Sequence, residues 1–296
     1  MIMKGIVLKA ISSFYYVSCN DQLYECKARG NFRISGISPL VGDRVEFDIS
    51  DNNKGVINSI CERKSVLKRP LIANIDKLFI VSSYKTPAPD TFMIDRLTAI
   101  SVFNGITPVI VFNKSDMGDF KDIAGIYERA GFKTYTVSAL SGEGIDLLKL
   151  ETQNCVSAFA GNSGVGKSSI INALFGDLSL KTGEVSEKLG RGRHTTRHTE
   201  LFRFGDSFVA DTPGFAAIES DNTLEFKNEL ANCFPDFSDY ISGCRYSTCT
   251  HTCEPGCQLI EAVENGLAER SRYNSFLLLF EELKDLKEWS VKQKKV

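Results

Sequence analysis

Neither sign of charge dominates this 296-residue chain: 35 Lys and Arg face 37 Asp and Glu, a formal net charge of −2. The overall basic excess that marks many nucleic-acid binders is therefore missing. No 18-residue apolar run is present, which excludes an ordinary membrane-spanning helix, and no apolar leader of the signal-peptide type opens the chain. These absences predict a soluble, cytoplasmic protein with no membrane partner. The C-x-x-C pair of many zinc sites is also lacking, although there are nine cysteines. Nine is odd, and four of them crowd between positions 244 and 257. In a cytosolic chain such crowding points to a metal more than to disulfides.

What is present is a set of nucleotide motifs in an unusual order. GNSGVGKSS, at 161–169, fits G-x-x-x-x-G-K-[ST] and follows the apolar run VSAFA. Glycines at 161, 164 and 166 let backbone N–H groups turn inward around phosphates. The loop as a whole, Gly161, Asn162, Ser163, Gly164, Val165, Gly166, Lys167, Ser168 and Ser169, is the candidate phosphate cradle. Lys167 can reach the β- and γ-phosphates, and the Ser168 hydroxyl can ligate Mg²⁺. The following run reads as a helix whose N-terminus favours an anion.

DTPG, about 45 residues further on, ends a short apolar strand. Alone it is an ordinary turn. After a phosphate loop it places Asp211 to hold Mg²⁺ through water and the Gly214 N–H to face a γ-phosphate. NKSD (Asn113, Lys114, Ser115, Asp116) follows the apolar run TPVIVF. Asp116 can accept from the N1–H and 2-amino groups of guanine, a donor pair that adenine lacks, and unpaired buried groups make such discrimination strong. Asn113 would brace the loop and the Lys114 stem would cover the base. SAL (Ser138, Ala139, Leu140) follows the strand-like KTYTV, where a second guanine loop of the form S-A-K belongs. Leu140 departs from that form, but the contact that matters is the Ala139 N–H. In the usual order the phosphate loop comes first and N-K-x-D last. Here N-K-x-D comes first, so the chain enters the site at another point.

The rest of the chain supports a multidomain α/β reading. Five short alternating runs before residue 66 suggest a small barrel of the OB type, and an SH3-like barrel is an alternative that periodicity does not exclude. Residues 1–70 hold 11 basic and 7 acidic residues, so the basic character is local. Lys27, Arg29, Arg33 and Arg44, with Tyr15, Tyr16, Tyr24 and Phe32, would suit an RNA surface or equally a solvated barrel face with core aromatics. Residues 71–225 alternate strands (77–83, 107–112, 133–137, 156–160, 200–204, 207–210) with helices (90–104, 119–131, 144–150, 167–176, 223–230), as a parallel sheet requires. The helix at 144–150 running straight into the strand at 156 is the junction that a circular permutation needs. Residues 180–200 are polar and rich in Gly and Arg, which reads as a switch loop. Within it Thr195 or Thr196 can ligate Mg²⁺ and sense the γ-phosphate, with Thr196 favoured.

CRYSTCTHTCEPGC offers Cys244, Cys249, His251 and Cys257 as three sulfurs and a nitrogen for a closed tetrahedral zinc site. Cys253 is a fifth candidate, and spacing alone leaves the choice open. Two helices follow, the second with an apolar stripe at Phe276, Leu277, Phe280, Leu283 and Leu286.

Taken in order, NKSD, SAL, GNSGVGKSS, RGRHTTR, DTPGF and C-x4-C-x-H-x5-C resemble the ribosome small-subunit-dependent GTPase A (RsgA) family across essentially the whole chain. The resemblance implies an N-terminal OB-fold at 1–68, a circularly permuted P-loop GTPase domain at 69–225 and a C-terminal helical zinc-binding domain at 226–296. It implies one zinc ion per chain, held by Cys244, Cys249, His251 and Cys257 with Cys253 left outside, and Mg²⁺ bound with GTP. It further implies a monomeric late factor in 30S maturation that binds 16S rRNA near the decoding centre, helps release another assembly factor, and hydrolyses GTP to GDP on activation by the subunit. HTTRH departs from the family in lacking a third Thr; Thr195 and Thr196 remain.

Phe215 stands where many GTPases place a water-orienting Gln, and a phenyl ring cannot orient water. Slow intrinsic hydrolysis is expected, with His194 of the switch loop as the candidate to accept a hydrogen bond from the attacking water. Lys167 and Thr196 would complete the catalytic set. A metabolic kinase or ATPase is disfavoured by NKSD. A nucleotide-sensing rRNA-binding scaffold with negligible catalysis is kept open by Phe215.

Overall fold

The computed structural model describes residues 2–30, 32, 36–50, 53–68, 70–176, 199–211 and 224–286, with only the backbone of Asp211 and Leu224. Two compact units alternate along the chain. One comprises Met1–Leu78, Ile145–Phe159 and Ser168–Ile218, the other Phe79–Gly144, Ala160–Lys167 and Glu219–Val296.

In the first unit, strands β1 (Ile2–Ile11), β2 (Phe14–Cys19), β3 (Gln22–Ala28), β4 (Arg44–Ile49) and β5 (Lys54–Ile60) run in the order β1-β2-β3-β5-β4. A further β4–β1 pairing closes them into a five-stranded barrel, and β3 runs parallel to β5. This is OB-type connectivity. The β2–β3 hairpin turns on Asn20 and Asp21, both at positive φ, the requirement of a tight two-residue turn. Alternate residues point inward, and Val7, Val17, Cys26, Val45, Phe47 and Ile57 are fully buried. Tyr24 belongs to this core, 5.2 Å from the Phe47 ring, so its ring packs inward rather than lying on the surface, as an RNA-stacking role requires. Tyr15 and Phe32 also pack against the core. Period-2 patterning says that a residue faces in or out but not which face closes on itself.

Residues 66–73 form a hairpin that sequence periodicity missed, β6 (Val66–Lys68) and β7 (Leu71–Ala73). It is tied to the barrel by Ala73 N–H to Val41 O at 2.9 Å and Asn74 Nδ2 to Gly42 O at 3.0 Å. Nearby, Arg63 grips the buried Asp43 with two bonds of 2.8 Å. The helix α3 (Ile145–Glu151) leads within a few residues into β11 (Val156–Ala160). β11 runs parallel to β13 (Ser207–Asp211), which pairs with β12 (Glu200–Phe204), and β12 joins the barrel strand β1 through Lys9 opposite Glu200. Asp76 fastens the start of β11: its N–H donates to Val156 O and its carboxylate accepts from Val156 N, both at 2.9 Å.

In the second unit the parallel strands lie in the order β10 (Lys133–Val137), β9 (Thr107–Asn113), β8 (Lys77–Ser83), the last entering from the first unit. β8 and β9 are buried along nearly their whole length, as strands covered on both faces must be. Helix α1 (Thr91–Phe103) starts at Asp90, whose carboxylate accepts from Met93 N–H at 3.0 Å, a standard N-cap bond. Helix α2 (Lys121–Arg129) precedes β10, and α4 (Lys167–Phe175) starts at Lys167 within the phosphate loop and continues into the first unit. The C-terminal part comprises α5 (Leu224–Glu229), α6 (Ser238–Ile241), α7 (Gln258–Glu264) and α8 (Arg270–Leu283). α8 buries Arg272, Tyr273, Ser275, Phe276, Leu279 and Leu283. The expected stripe is thus rotated: Leu279 is buried, whereas Leu277, Phe280 and Leu286 are only half-buried. The cause is Arg272, which points inward to form 2.6 and 2.7 Å ion pairs with Asp95 of α1 and with Asp236, among the rings of Tyr127, Phe132 and Phe234.

Candidate functional site

Register decides where the base-reading loops go. Val137 at the end of β10 lies opposite Asn113 at the end of β9, so SAL and NKSD leave the sheet side by side. The Ser138 hydroxyl, fully buried, donates to Asp116 Oδ1 at 2.6 Å. That bond aims a carboxylate that would otherwise swing freely. Asn113, 2% exposed, spans two loops. Its Nδ2 donates to Val165 O of the phosphate loop at 2.9 Å, and its Oδ1 accepts the Ala139 N–H at 3.1 Å. The Ala139 N–H, expected to face a guanine, here satisfies the buried Asn113 oxygen, which would be costly to leave unpaired. Lys114 sits at φ +68. Its Nζ donates to Gly164 O at 2.9 Å and to Thr86 O at 2.7 Å. Ser115 reaches Glu143 at 3.0 Å.

The phosphate loop needs its glycines for two separate reasons. Gly161 and Gly166 hold φ of +138° and +95°, and Cβ atoms there would come within 2.1 Å of Val81 O and 2.2 Å of Asn113 Nδ2. Val165 is buried, whereas Ser163 and Gly164 are exposed. Lys167 Nζ donates to Gly161 O at 2.7 Å and Asn162 O at 2.9 Å, and burial lowers its pKa. Ser168 and Ser169 are exposed in the first turn of α4. The backbone of Asp211 ends β13. His194, Thr195, Thr196, Gly214 and Phe215 lie outside the described residues.

One support is invisible in the motifs. A Cβ on Gly118, two residues past NKSD, would overlap the Tyr84 ring at 2.0 Å, and Tyr84 meets Phe120 edge-on at 5.6 Å. Tyr84 is thus packed under the base-reading loop. A glycine just after NKSD was the only sequence sign of it.

The second cluster lies among the C-terminal helices. Ligand atoms of Cys244, Cys249, His251 and Cys257 all fall within 4.8 Å of one another. Cys244 Sγ is 3.8 Å from Cys257 Sγ, and His251 Nδ1 is 3.4 and 3.5 Å from these two sulfurs. A tetrahedron with Zn–S of about 2.3 Å and Zn–N of about 2.0–2.1 Å has S···S edges of about 3.8 Å and S···N edges of about 3.6 Å. The cluster therefore has the dimensions of a zinc site. Burial pushes the Cys249 thiol up to about 12, raises that of Cys257 and lowers His251, so a metal must displace thiol protons on entry. A cleft of about 760 Å³ reaches Cys249 and His251 between Leu230, Ile241, Phe276 and Phe280. Cys253 is exposed and outside the cluster. Sequence reasoning passed over Glu254, whose side chain accepts bonds from Thr250, Thr252 and Cys253. Burial alone would raise its pKa, yet those bonds hold it down at about 2.

A phosphate loop bridged to an N-K-x-D loop that precedes it in the chain is the arrangement of a circularly permuted GTPase, here accompanied by a five-stranded barrel and a Cys/His cluster among C-terminal helices. Comparison with known proteins narrows the class. Residues 60–221 match the RsgA GTPase family description and residues 4–57 match the RsgA N-terminal domain. The chain belongs to the RsgA GTPase family. It is 42% identical over 288 residues to the small ribosomal subunit biogenesis GTPase RsgA of Caldanaerobacter subterraneus, covering 96% of each chain. It resembles the crystal structure of YjeQ from Thermotoga maritima with a TM-score of 0.81 at 33% identity, covering 97% of this chain and 100% of that one. It also resembles YloQ, described as a circularly permuted GTPase, with a TM-score of 0.80 at 32% identity, covering 97% and 96%. Among the described residues no helix is long and apolar enough to cross a membrane.

Proposed function

We propose that this chain binds and hydrolyses GTP in the biogenesis of the small ribosomal subunit, the role for which its relatives are named. The observation that carries this reading is the bridging by Asn113 and Lys114 of the NKSD, SAL and phosphate loops. Asp116, held by Ser138, reads guanine, while the Ala139 N–H stays on Asn113 Oδ1 and braces the loop beside the base. Residues 161–169 cradle the phosphates, with Lys167 released from its loop carbonyls onto the β- and γ-oxygens. Ser168, Asp211 and Thr196 are the residues that would hold Mg²⁺, and a bound Mg²⁺ would neutralise charge on the transferring phosphate. Gly214 faces the γ-phosphate and His194 orients the attacking water. Residues 1–68 contact 16S rRNA, 69–225 carry the GTPase, and 226–296 hold one structural zinc. The protein acts in the cytoplasm as a monomer.

The test is phosphate release from GTP, with and without purified 30S subunits. Slow turnover of the free protein and strong acceleration by subunits are expected, and His194→Ala should cut the stimulated rate by roughly 10²-fold or more, the scale of one proton-accepting or water-positioning group. Equal turnover with and without subunits would sink partner activation, and negligible turnover in both would favour the nucleotide-sensing scaffold. Undiminished stimulation in His194→Ala would move the water-positioning role elsewhere.

A further inference from the structure

Four cysteines and one histidine lie between positions 244 and 257, and a tetrahedral zinc site takes four ligands. By softness alone Cys253 is a strong competitor, because four-thiolate sites are common structural zinc sites. The hydrogen bonds around Glu254 point to what excludes it. Glu254 Oε1 accepts from the Thr250 N–H at 2.7 Å and the Thr250 hydroxyl at 2.5 Å. Its Oε2 accepts from the N–H groups of Thr252 and Cys253 at 3.1 and 3.2 Å. These donors flank His251 on both sides. His251 itself sits at φ +59, a left-handed conformation uncommon outside glycine, and its carbonyl accepts the Tyr273 hydroxyl at 3.0 Å. The loop thus wraps a carboxylate on one side and is pinned to α8 on the other. In that shape the His251 ring faces the Cys244 and Cys257 sulfurs, and Cys253 faces solvent.

We infer that Glu254, assisted by Tyr273, is the positioning residue that selects His251 over Cys253 as the fourth metal ligand. The inference rests on the zinc reading above. Two effects act together. The carboxylate fixes the loop in the conformation that turns His251 inward and Cys253 outward. It also carries a negative charge beside the site. Three thiolates and a neutral imidazole leave a zinc centre at −1 and four thiolates leave it at −2, so Glu254 opposes the fourth thiolate electrostatically as well.

The experiment uses the full chain loaded with Co²⁺ as the spectroscopic probe. Sulfur-to-cobalt charge-transfer intensity counts thiolates, and competition with a chromophoric chelator gives Zn²⁺ affinity. Wild type and Cys253→Ser should show the same three-sulfur, one-nitrogen spectrum and the same affinity. Glu254→Gln should gain thiolate intensity and bind Zn²⁺ about 10-fold more weakly, the lower end for loss of an outer-shell partner. Adding Cys253→Ser to Glu254→Gln should restore the three-sulfur spectrum and weaken binding further, because the substitute ligand is gone. Tyr273→Phe should shift the spectrum in the same direction by less, and it carries the comparison if Glu254→Gln does not fold. A wild-type spectrum in both Glu254→Gln and Tyr273→Phe, or an affinity loss that Cys253→Ser does not deepen, overturns the selection role. A wild-type chain that binds neither metal removes the zinc reading itself, a result distinct from failure of the selection role alone.

Discussion

Replacing Asn113 by Ala should damage the nucleotide site far more than the fold. The side chain is 2% exposed, and it is the only group described that bonds both Val165 of the phosphate loop and Ala139 of the SAL loop, at 2.9 and 3.1 Å. Truncation leaves a carbonyl and an N–H without these partners in a buried place. Each such orphan costs about 1–3 kcal/mol, and water entering the vacated space recovers part of that. A net loss of about 2 kcal/mol, charged to the arrangement of the loops rather than to the sheet, corresponds to about a 30-fold weaker GTP affinity. The strand itself should survive, because Val109, Ile110, Val111 and Phe112 of β9 remain fully buried. Asn113→Asp is the informative partner variant. It keeps an acceptor for the Ala139 N–H but sets a carboxylate oxygen against the Val165 carbonyl, so it should bind no better than Asn113→Ala. The assay is titration with a fluorescent guanine nucleotide, alongside thermal melting of the free protein. A GTP affinity within twofold of wild type in Asn113→Ala would falsify the bridge as an organiser of the site.

Asp116→Asn should lose GTP affinity and gain some for xanthosine triphosphate, whose 2-oxo group suits the new amide donor; competition binding between the two nucleotides decides it, and an unchanged preference for guanine would remove Asp116 as the base reader. Freshly purified, reduced protein should contain about one zinc per chain; Cys257→Ser should release it and Cys253→Ser should not, as metal analysis will show. Asp95 gives a pH signature. Burial, aided by Asp236 and opposed by Arg272, raises its pKa from 3.8 to about 6, so the folded protein keeps a proton that the unfolded chain releases. The stabilisation of wild type relative to Asp95→Asn should therefore be full below about pH 4 and fall as pH rises through 6, by up to about 3 kcal/mol. Denaturant titrations of both proteins at pH 4.5 and 7 measure this, and a difference that grows with pH would show Asp95 to be charged in the folded state throughout that range.

The nucleotide motifs were readable in the sequence because each works through a contiguous run. A phosphate loop needs glycines at fixed spacing and a lysine after them, and NKSD needs its carboxylate three residues past the asparagine. Continuous apolar runs likewise marked the buried parallel strands, and alternation marked the barrel. Sequence could not say which aromatic of the barrel turns inward, and Tyr24 does. It placed Phe276 and Leu283 of the α8 stripe correctly but missed Leu279 and the charged Arg272, which points into the core towards carboxylates 177 and 36 residues away. It left Cys253 in contention because ligand choice depends on loop shape, and the acceptor that shapes the loop, Glu254, looks from the sequence like an ordinary surface acid. Local chemistry is written in neighbours along the chain. Which loops meet, as Asn113 meets Val165 across 52 residues, depends on strand register and on which buried polar groups must find partners, and those are properties of the folded chain alone.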